Sequence, residues 1–192
     1  MFNGIIFNTG IVKSIKKNSN SLLISVKSNI RFTKKNLGES VSCNGVCLTI
    51  TNIKKDLIYF YISKETLKRS NFDKIKIEQK INLEKSLIFG QKISGHFIQG
   101  HVDATAIIQK IKFQSKTWII RFKIKNNKFI VEKASISING VSLTISKVIN
   151  NFFEINVIPH TLQLTNLKDL KIHDVVNVEL DIFSKYMYKY SI

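Results

Sequence analysis

One short segment with nucleophilic and hydroxyl side chains occurs twice in this chain. Residues 40–50 read SVSCNGVCLTI and residues 135–145 read SISINGVSLTI, and eight of the eleven positions are identical. In a strand that leaves the Asn-Gly turn, alternate side chains share one face, so Cys47 and Ser142 each lie beside a threonine. The pattern predicts two sites with a nucleophilic or hydrogen-bonding group next to a hydroxyl. A solvated strand face, or a buried core cysteine, would give the same pattern, so the hairpin alone leaves its role open.

The two copies carry different reactive or ionisable groups at three aligned positions. The aligned pairs are Cys47 with Ser142, Glu65 with His160, and Ile5 with His101. Histidine is the natural proton carrier near neutral pH. Two similar pockets with unlike groups suit a reaction in which two similar molecules play different parts, although drift after a duplication would also explain the differences.

The repeat extends along almost the whole chain. At an offset of 95 residues, the identical pairs include Thr66 with Thr161, Asn71 with Asn166, Asn82 with Asn177, and Glu84 with Glu179. Two long copies predict two similar domains made by duplication, whereas a solenoid needs three or more shorter units. We expect an N-terminal domain at 1–95, a C-terminal domain at 96–181, and a tail at 182–192.

Each copy has the pattern of an all-β domain. Short segments rich in β-branched and aromatic residues predict strands, for example at 22–26, 57–62 and 118–124. Asn-Gly between apolar residues is a strong hairpin signal, because both turn positions favour positive φ. Closely spaced strands joined by turns predict a small closed barrel in each copy. We also expect one short helix per copy, at 64–72 and 160–167, and an amphipathic helix in the tail.

Composition narrows the class of protein. The chain has 44% apolar residues, no run of 18 that could span a membrane, and no secretory signal at its start, so we expect a cytoplasmic protein without membrane contact. Two cysteines, Cys43 and Cys47, do not make a disulfide framework, and the histidines lack metal-ligand spacing, so we expect no metal. The common nucleotide-binding and hydrolase motifs are absent.

The formal net charge of +17 invites a nucleic-acid interpretation. The basic residues are spread along the chain, however, and no localised basic and aromatic run marks a platform for single strands. We expect no specific nucleic-acid partner. A basic barrel that binds single-stranded nucleic acid stays as an alternative hypothesis.

Taken in order, the motifs resemble the riboflavin synthase family over nearly the whole chain. They are MFNGII at 1–6, NGVCLT at 44–49, KETL at 64–67, GHFIQGHVD at 95–103 and NGVSLT at 139–144. The resemblance implies two tandem six-stranded antiparallel Greek-key barrels, short helices, a C-terminal helix and a homotrimer. It also implies a dismutation without metal or cofactor, the last step of riboflavin biosynthesis. Two molecules of 6,7-dimethyl-8-ribityllumazine would exchange a four-carbon unit and give riboflavin and 5-amino-6-ribitylamino-uracil.

The resemblance also implies the ligand contacts. The contacts of the first barrel fall on Gly4, Ile5, Ile6, Cys47, Leu48, Thr49, Tyr61, Ile62, Ser63, Lys64, Glu65 and Thr66. Those of the second fall on Gly100, His101, Val102, Ser142, Leu143, Thr144, Asn156, Val157, Ile158, Pro159, His160 and Thr161, while Lys133 matches a lysine that reaches a neighbour's site. We assign proton handling to His101 and Ser142. Placing or activating the partner ring is assigned to Cys47 and Thr49.

The chain departs from the family pattern in four places. Asn3 stands where the pattern usually has threonine, His160 stands where it usually has glutamate, Asn139 stands where some members have aspartate, and the tail after Asp181 is short. The alternative function is a non-catalytic lumazine- or flavin-binding protein of the same fold. Such proteins keep ligand contacts in one barrel, whereas this chain keeps the hairpin in both, together with His101 and Ser142. The enzyme is therefore favoured.

Overall fold

Two closed barrels of six antiparallel strands make up most of the molecule. The computed structural model describes residues 1–190, and side chains through Met187. The first barrel contains β1 (Asn8–Asn18), β2 (Ser21–Ser28), β3 (Ser40–Cys43), β4 (Val46–Lys54), β5 (Leu57–Ser63) and β6 (Lys80–Lys85). The second contains β7 (Ala104–Gln114), β8 (Thr117–Ile124), β9 (Ser135–Ile138), β10 (Val141–Ile149), β11 (Phe152–Val157) and β12 (Val175–Leu180).

Both barrels have the same Greek-key connectivity. The first is ordered β1-β2-β5-β4-β3-β6, and the second repeats that order as β7-β8-β11-β10-β9-β12. In each barrel the second strand pairs with the fifth instead of the third, so the chain crosses one end of the barrel before it returns. Matching register shifts interrupt β4 after Ile50 and β10 after Ile145, where the strands bend to close the barrel. The predicted all-β fold is confirmed.

Each barrel closes around its own apolar core, since the strands alternate inward apolar and outward polar residues. Fully buried Phe60 and Phe72 belong to the first core, and the stacked rings of Phe122 and Phe153, with centroids 5.1 Å apart, belong to the second. Within the described residues, no helix is long and apolar enough to cross a bilayer.

The predicted helices form, but the first two are shorter than expected. They are α1 (Lys64–Arg69) and α2 (Pro159–Leu164), and each is followed by a separate 3₁₀ turn, Asn71–Lys74 or Asn166–Asp169. The single helices predicted at 64–72 and 160–167 are wrong at Ser70 and Thr165. The backbone is extended there, and the hydroxyl accepts a hydrogen bond from the N–H two residues on.

The C-terminal helix α3 (Ile182–Tyr190) forms as predicted. It packs through Phe183, whose ring lies edge-on to Phe97 at 6.2 Å, and through an ion pair between Lys185 and Asp103 at 3.0 Å. Residues 191 and 192, which belong to the predicted tail, lie outside the described residues.

The two Asn-Gly hairpins form as predicted, and they also join the barrels. Asn44 and Gly45 have φ of 46° and 78°, and Asn139 and Gly140 have φ of 47° and 80°, as this tight turn requires. The two turns meet back to back: a Cβ built on Gly45 would lie 2.6 Å from the backbone nitrogen of Gly140. Only glycine permits this approach.

A symmetric set of asparagines surrounds the contact between the turns. The side chain of Asn82 donates to the carbonyl of Asn139, and the side chain of Asn177 donates to the carbonyl of Asn44, both at 2.9 Å. The same two side chains accept from the backbone N–H of Asn166 and Asn71, respectively, at 2.7 Å. These six residues form the inter-barrel asparagine network, which satisfies buried backbone groups of both barrels with side chains from the other barrel or its turn.

Candidate functional site

The strands that leave the two hairpins present the predicted chemical groups outward. In β4, Cys47 is half-buried and Thr49 exposed, while Leu48 between them is buried. In β10, Ser142 is half-buried and Thr144 exposed. The expected pairing of each reactive position with a threonine on one strand face is confirmed.

The segments 61–66 and 156–161 lie at the same barrel ends as these faces. Ile50 of β4 lies opposite Phe60 of β5, and Ile145 of β10 lies opposite Ile155 of β11. Because the strands are antiparallel, residues 47–49 and 61–63 continue from the first pair in the same direction, and 142–144 and 156–158 do so from the second. Each of these strand segments therefore lies toward the barrel end at which α1 or α2 begins.

The segment 4–6 contacts the reactive position of the second barrel, and the segment 100–102 contacts that of the first. The carbonyl of Gly100 accepts from the N–H of Cys47, and the carbonyl of Gly4 accepts from the N–H of Ser142, both at 2.8 Å. Ile6 belongs to the core of the second barrel, and Val102 packs against the core of the first. Grouping Gly4–Ile6 with the first barrel and Gly100–Val102 with the second is thus wrong. The order of motifs along the chain carries no signal for this crossover.

Glycine is required at both crossover contacts. Gly4 and Gly100 have φ of 74° and 78°. A Cβ on Gly4 would lie 2.7 Å from the Cβ of Ser142, and one on Gly100 would lie 2.6 Å from the Cβ of Cys47. Each segment consequently runs directly beside the reactive position of its cluster.

Two carboxylates hold the crossover segments, residues 4–6 and 100–102, by accepting hydrogen bonds from backbone N–H groups at and just before the start of each segment. Glu84 of β6 accepts from the N–H of Asn3 at 2.7 Å and of Gly4 at 2.9 Å. Glu179 of β12 accepts from the N–H of Gln99 at 2.7 Å, Gly100 at 2.8 Å and His101 at 3.0 Å. Burial raises the pKa of both carboxyls, that of Glu179 to about 7. Sequence reasoning found these glutamates as a repeated pair and gave them no role.

The structure pairs Ser142 with His96, which the sequence did not assign to the site. The Nδ1 atom of His96 lies 2.7 Å from the Oγ atom of Ser142. Burial lowers the pKa of His96, so its imidazole is neutral near pH 7, and its buried Nε2 has no hydrogen-bond partner among the described residues. His101, by contrast, is exposed and follows Gly100 beside the cluster that contains Cys47.

The unusual Asn3 holds His96 in place. Its side-chain oxygen accepts from the N–H of Ser94 at 2.9 Å and of Gly95 at 2.7 Å. The linker is thereby tied to the amino-terminal segment immediately before His96.

The remaining predicted residues surround the two clusters. Ser63 caps α1 by accepting from the N–H of Thr66 at 3.2 Å, and an ion pair with Arg69 lowers the pKa of exposed Glu65. In the second copy, Pro159 and His160 begin α2, with His160 exposed. The others lie at strand ends or in the first turns of these helices: Tyr61, Ile62, Lys64, Asn156, Val157, Ile158 and Thr161. Lys133 is exposed at φ of 71°, at the position aligned with Gly38 of the first copy.

A separate cleft lies away from both clusters. It has a volume of about 880 Å³, lies between the barrels, and is lined by polar groups such as Lys76, Asn166 and Lys171, none of them a predicted site residue. Both predicted clusters are instead open strand faces. Within the described residues, no three His, Cys, Asp or Glu side chains come together as a metal site.

Comparison with known proteins identifies the class to which this fold and site belong. The family model for the lumazine binding domain matches the chain twice, at residues 3–86 and 99–181. Solved structures of LumP superpose closely. The complex with riboflavin gives a TM-score of 0.82 at 28% identity over 94% of this chain and 99% of LumP. The complex with 6,7-dimethyl-8-(1'-D-ribityl) lumazine gives 0.82 at 29% identity over 93% and 98%. The chain is thus a tandem pair of lumazine-binding domains.

The full-length relatives are more specific. Riboflavin synthase of Bacillus subtilis (strain 168) is 35% identical over 99% of this chain and 89% of its own. Riboflavin synthase of Buchnera aphidicola subsp. Schizaphis graminum (strain Sg) is 36% identical over 96% of this chain and 91% of its own. The chain belongs to the riboflavin synthase family, as its motifs predicted.

Proposed function

We propose that this protein is a riboflavin synthase, which converts two molecules of 6,7-dimethyl-8-ribityllumazine into riboflavin and 5-amino-6-ribitylamino-uracil. One observation carries the proposal: two clusters of the same architecture present unlike reactive groups, in a chain that matches riboflavin synthases over nearly its full length. A reaction between two copies of one molecule needs two like sites that treat their rings differently. Holding the rings together replaces an improbable encounter with a unimolecular step.

The first-barrel cluster consists of residues 47–49, 61–66 and 100–102, and the second of residues 142–144, 156–161 and 4–6. Each combines a threonine hydroxyl, backbone groups beside a glycine, and apolar side chains, which suits a flat ring with a hydroxylated chain. Lys133 would reach the site of a neighbouring subunit.

Proton handling falls to Ser142 and His101. In the second cluster, the neutral imidazole of His96 orients the Ser142 hydroxyl and can accept its proton. In the first cluster, the exposed His101 lies in the segment that contacts Cys47, where it can take a proton from the methyl group of one ring. Cys47 and Thr49 place or activate the partner ring. No cofactor takes part, because the lumazine ring stabilises the carbanion.

We also propose that the active assembly is a homotrimer. Both clusters are open faces in a single chain, and α3 exposes Phe183, Tyr186 and Met187. A neighbouring subunit would close one ring-binding face against another. The domains are proposed at 1–95 and 96–181 with the tail at 182–192, and the protein acts in the cytoplasm, with no specific nucleic-acid partner.

The assay uses purified protein and 6,7-dimethyl-8-ribityllumazine with no other reagent. Absorbance should show one riboflavin formed for every two lumazines consumed. A stable change in lumazine fluorescence without turnover would favour the alternative, a non-catalytic binding protein. If neither the absorbance nor the lumazine fluorescence changes, the protein is neither the enzyme nor a lumazine-binding protein. A salt titration with a single-stranded oligonucleotide would then test the nucleic-acid hypothesis.

Sedimentation velocity tests the assembly. We expect a trimer for the full chain and a monomer for a chain truncated after Asp181, which lacks α3. The control is the ion-pair variant Lys185→Ala, which keeps the exposed face of α3 and should remain trimeric. A full chain that sediments as a monomer under assay conditions would contradict the proposed assembly.

A further inference from the structure

Two glycine residues, Gly4 and Gly100, each link a carboxylate of one barrel to the reactive position of the other. At Gly100 the N–H donates to Glu179 of the second barrel, while the carbonyl accepts from Cys47 of the first. At Gly4 the N–H donates to Glu84 of the first barrel, while the carbonyl accepts from Ser142 of the second. A carboxylate of one barrel is thus connected, through the backbone N–H and C=O of a single glycine residue, to the reactive position of the other.

We propose that Glu179 and Glu84 are positioning residues that set the two crossover segments against the reactive faces, with Glu179 fixing the loop that carries His101. The inference rests on the proposed function, because the roles of His101 and Ile5 do. The glutamates touch neither ring; they act through the backbone of the segments that do.

The contacts of Glu179 explain why a carboxylate is needed. One side chain, only 3% exposed, binds three successive N–H groups. A carboxylate presents two acceptor oxygens and no donor, so it can serve all three, whereas an amide would turn an NH₂ group toward one of them. The nearby charges are Lys185 and Asp103, which form an ion pair with each other, so the backbone amides are the direct partners of Glu179.

The two carboxylates hold segments of different chemistry. The segment bound by Glu179 carries the titratable His101, whereas the segment bound by Glu84 carries the apolar Ile5 at the aligned position. Loosening the first should disturb proton transfer, and loosening the second should disturb ring binding. The pair therefore provides a matched experiment within one molecule.

The experiment compares Glu179→Gln with Glu84→Gln by steady-state kinetics with 6,7-dimethyl-8-ribityllumazine. For Glu179→Gln we expect kcat to fall at least about tenfold with KM within about threefold of wild type. For Glu84→Gln we expect KM to rise about tenfold with kcat little changed. A purely structural role would lower the melting temperature and reduce active protein in both without this split. Equal effects on kcat and KM in the two variants, or wild-type kinetics for Glu179→Gln, would overturn the proposal.

A measurement on the wild-type protein covers the case in which a variant does not fold. The backbone amide resonances of Gln99, Gly100 and His101 should shift together with one midpoint between about pH 6 and about pH 8, as one carboxyl titrates beside all three. Lys185, Asp103 and the His101 imidazole are the other ionisable groups that face this position, and the N–H groups of Gln99 and Gly100 donate to Glu179. Separate midpoints, or none, would contradict the shared anchor. The amide titration does not depend on turnover, so a failure of the proposed function would be recognised separately, by absence of riboflavin from the wild-type protein.

Discussion

The hydroxyl of Ser142 has a proton acceptor, His96, within hydrogen-bond distance. It lies 2.7 Å from His96, on a strand whose backbone is bound to the amino-terminal segment. We expect His96→Gln to lower kcat by about tenfold to a hundredfold, because glutamine keeps a hydrogen bond but cannot relay a proton at neutral pH. Lumazine binding, followed by fluorescence, should change little. An unchanged kcat would mean that His96 only fills space beside Ser142.

The same histidine sets a pH dependence. Its pKa is lowered by burial from 6.5, so the neutral form persists in the folded protein to below that value. Protonation removes the acceptor for the Ser142 hydroxyl, so kcat should fall as the pH drops below 6.5 and through the folded pKa. A pH profile of kcat would show this acid limb in wild type, and His96→Gln should lack it. A variant that retained the limb would assign it to another group.

The raised pKa of Glu179 predicts that the stability of the folded protein falls as the pH rises. Its pKa rises from 4.5 to about 7 on folding, so the folded protein holds the proton more tightly over this range. Stability should therefore be lost as the pH rises from about 4.5 to about 7, by on the order of 3 kcal/mol from this group. Urea titrations at several pH values would measure the slope, and Glu179→Gln should remove this contribution. Parallel slopes in the two proteins would contradict it.

At the scale of the element, each Asn-Gly hairpin turns the chain and also packs against the hairpin of the other barrel. Gly45→Ala would combine a positive φ with a Cβ 2.6 Å from the backbone nitrogen of Gly140, so we expect a loss of about 3 kcal/mol or more. The control is Gly38→Ala, with φ of 86° and nothing within 4 Å of the added Cβ. It isolates the backbone strain and should cost about 1 kcal/mol. Equal losses of unfolding free energy in the two variants would show that the contact between the turns contributes nothing.

The hairpins also show how far sequence reasoning reached. Asn-Gly between apolar residues predicts a tight turn because the signal is local, and the alternation that follows it predicts which side chains of β4 and β10 face outward. The helix ends were missed because Ser70 competes for backbone groups within one turn. The exchange of Gly4 and Gly100 was missed because it depends on how the second barrel docks on the first. His96 was missed because its partner Ser142 lies 46 residues away in the chain, and no local pattern marks that pairing.

At the scale of the whole molecule, the two barrels should unfold as one unit. The inter-barrel asparagine network binds buried backbone groups of each barrel to side chains from across the contact, so neither barrel keeps those hydrogen bonds if the other unfolds. The single tryptophan, Trp118, lies on β8 and reports the second barrel alone, while far-ultraviolet circular dichroism reports both. At fixed protein concentration the two signals should give coincident urea transitions in wild type.

Asn177→Ala tests this coupling, because it removes the donor to the Asn44 carbonyl and the acceptor for the Asn71 N–H, which belong to the other barrel. We expect a loss of about 2–4 kcal/mol and a Trp118 transition that separates from the circular dichroism transition. Asn18→Ala, on the exposed end of β1, is the control and should leave both midpoints within about 0.5 kcal/mol of wild type. If the signals stay coincident in Asn177→Ala despite the lost stability, the turn contact and the remaining hydrogen bonds of Asn82 are enough to couple the barrels. Because each crossover segment runs from the carboxylate of one barrel to the reactive face of the other, turnover should be lost with the first of the two separated transitions, while the other barrel is still folded.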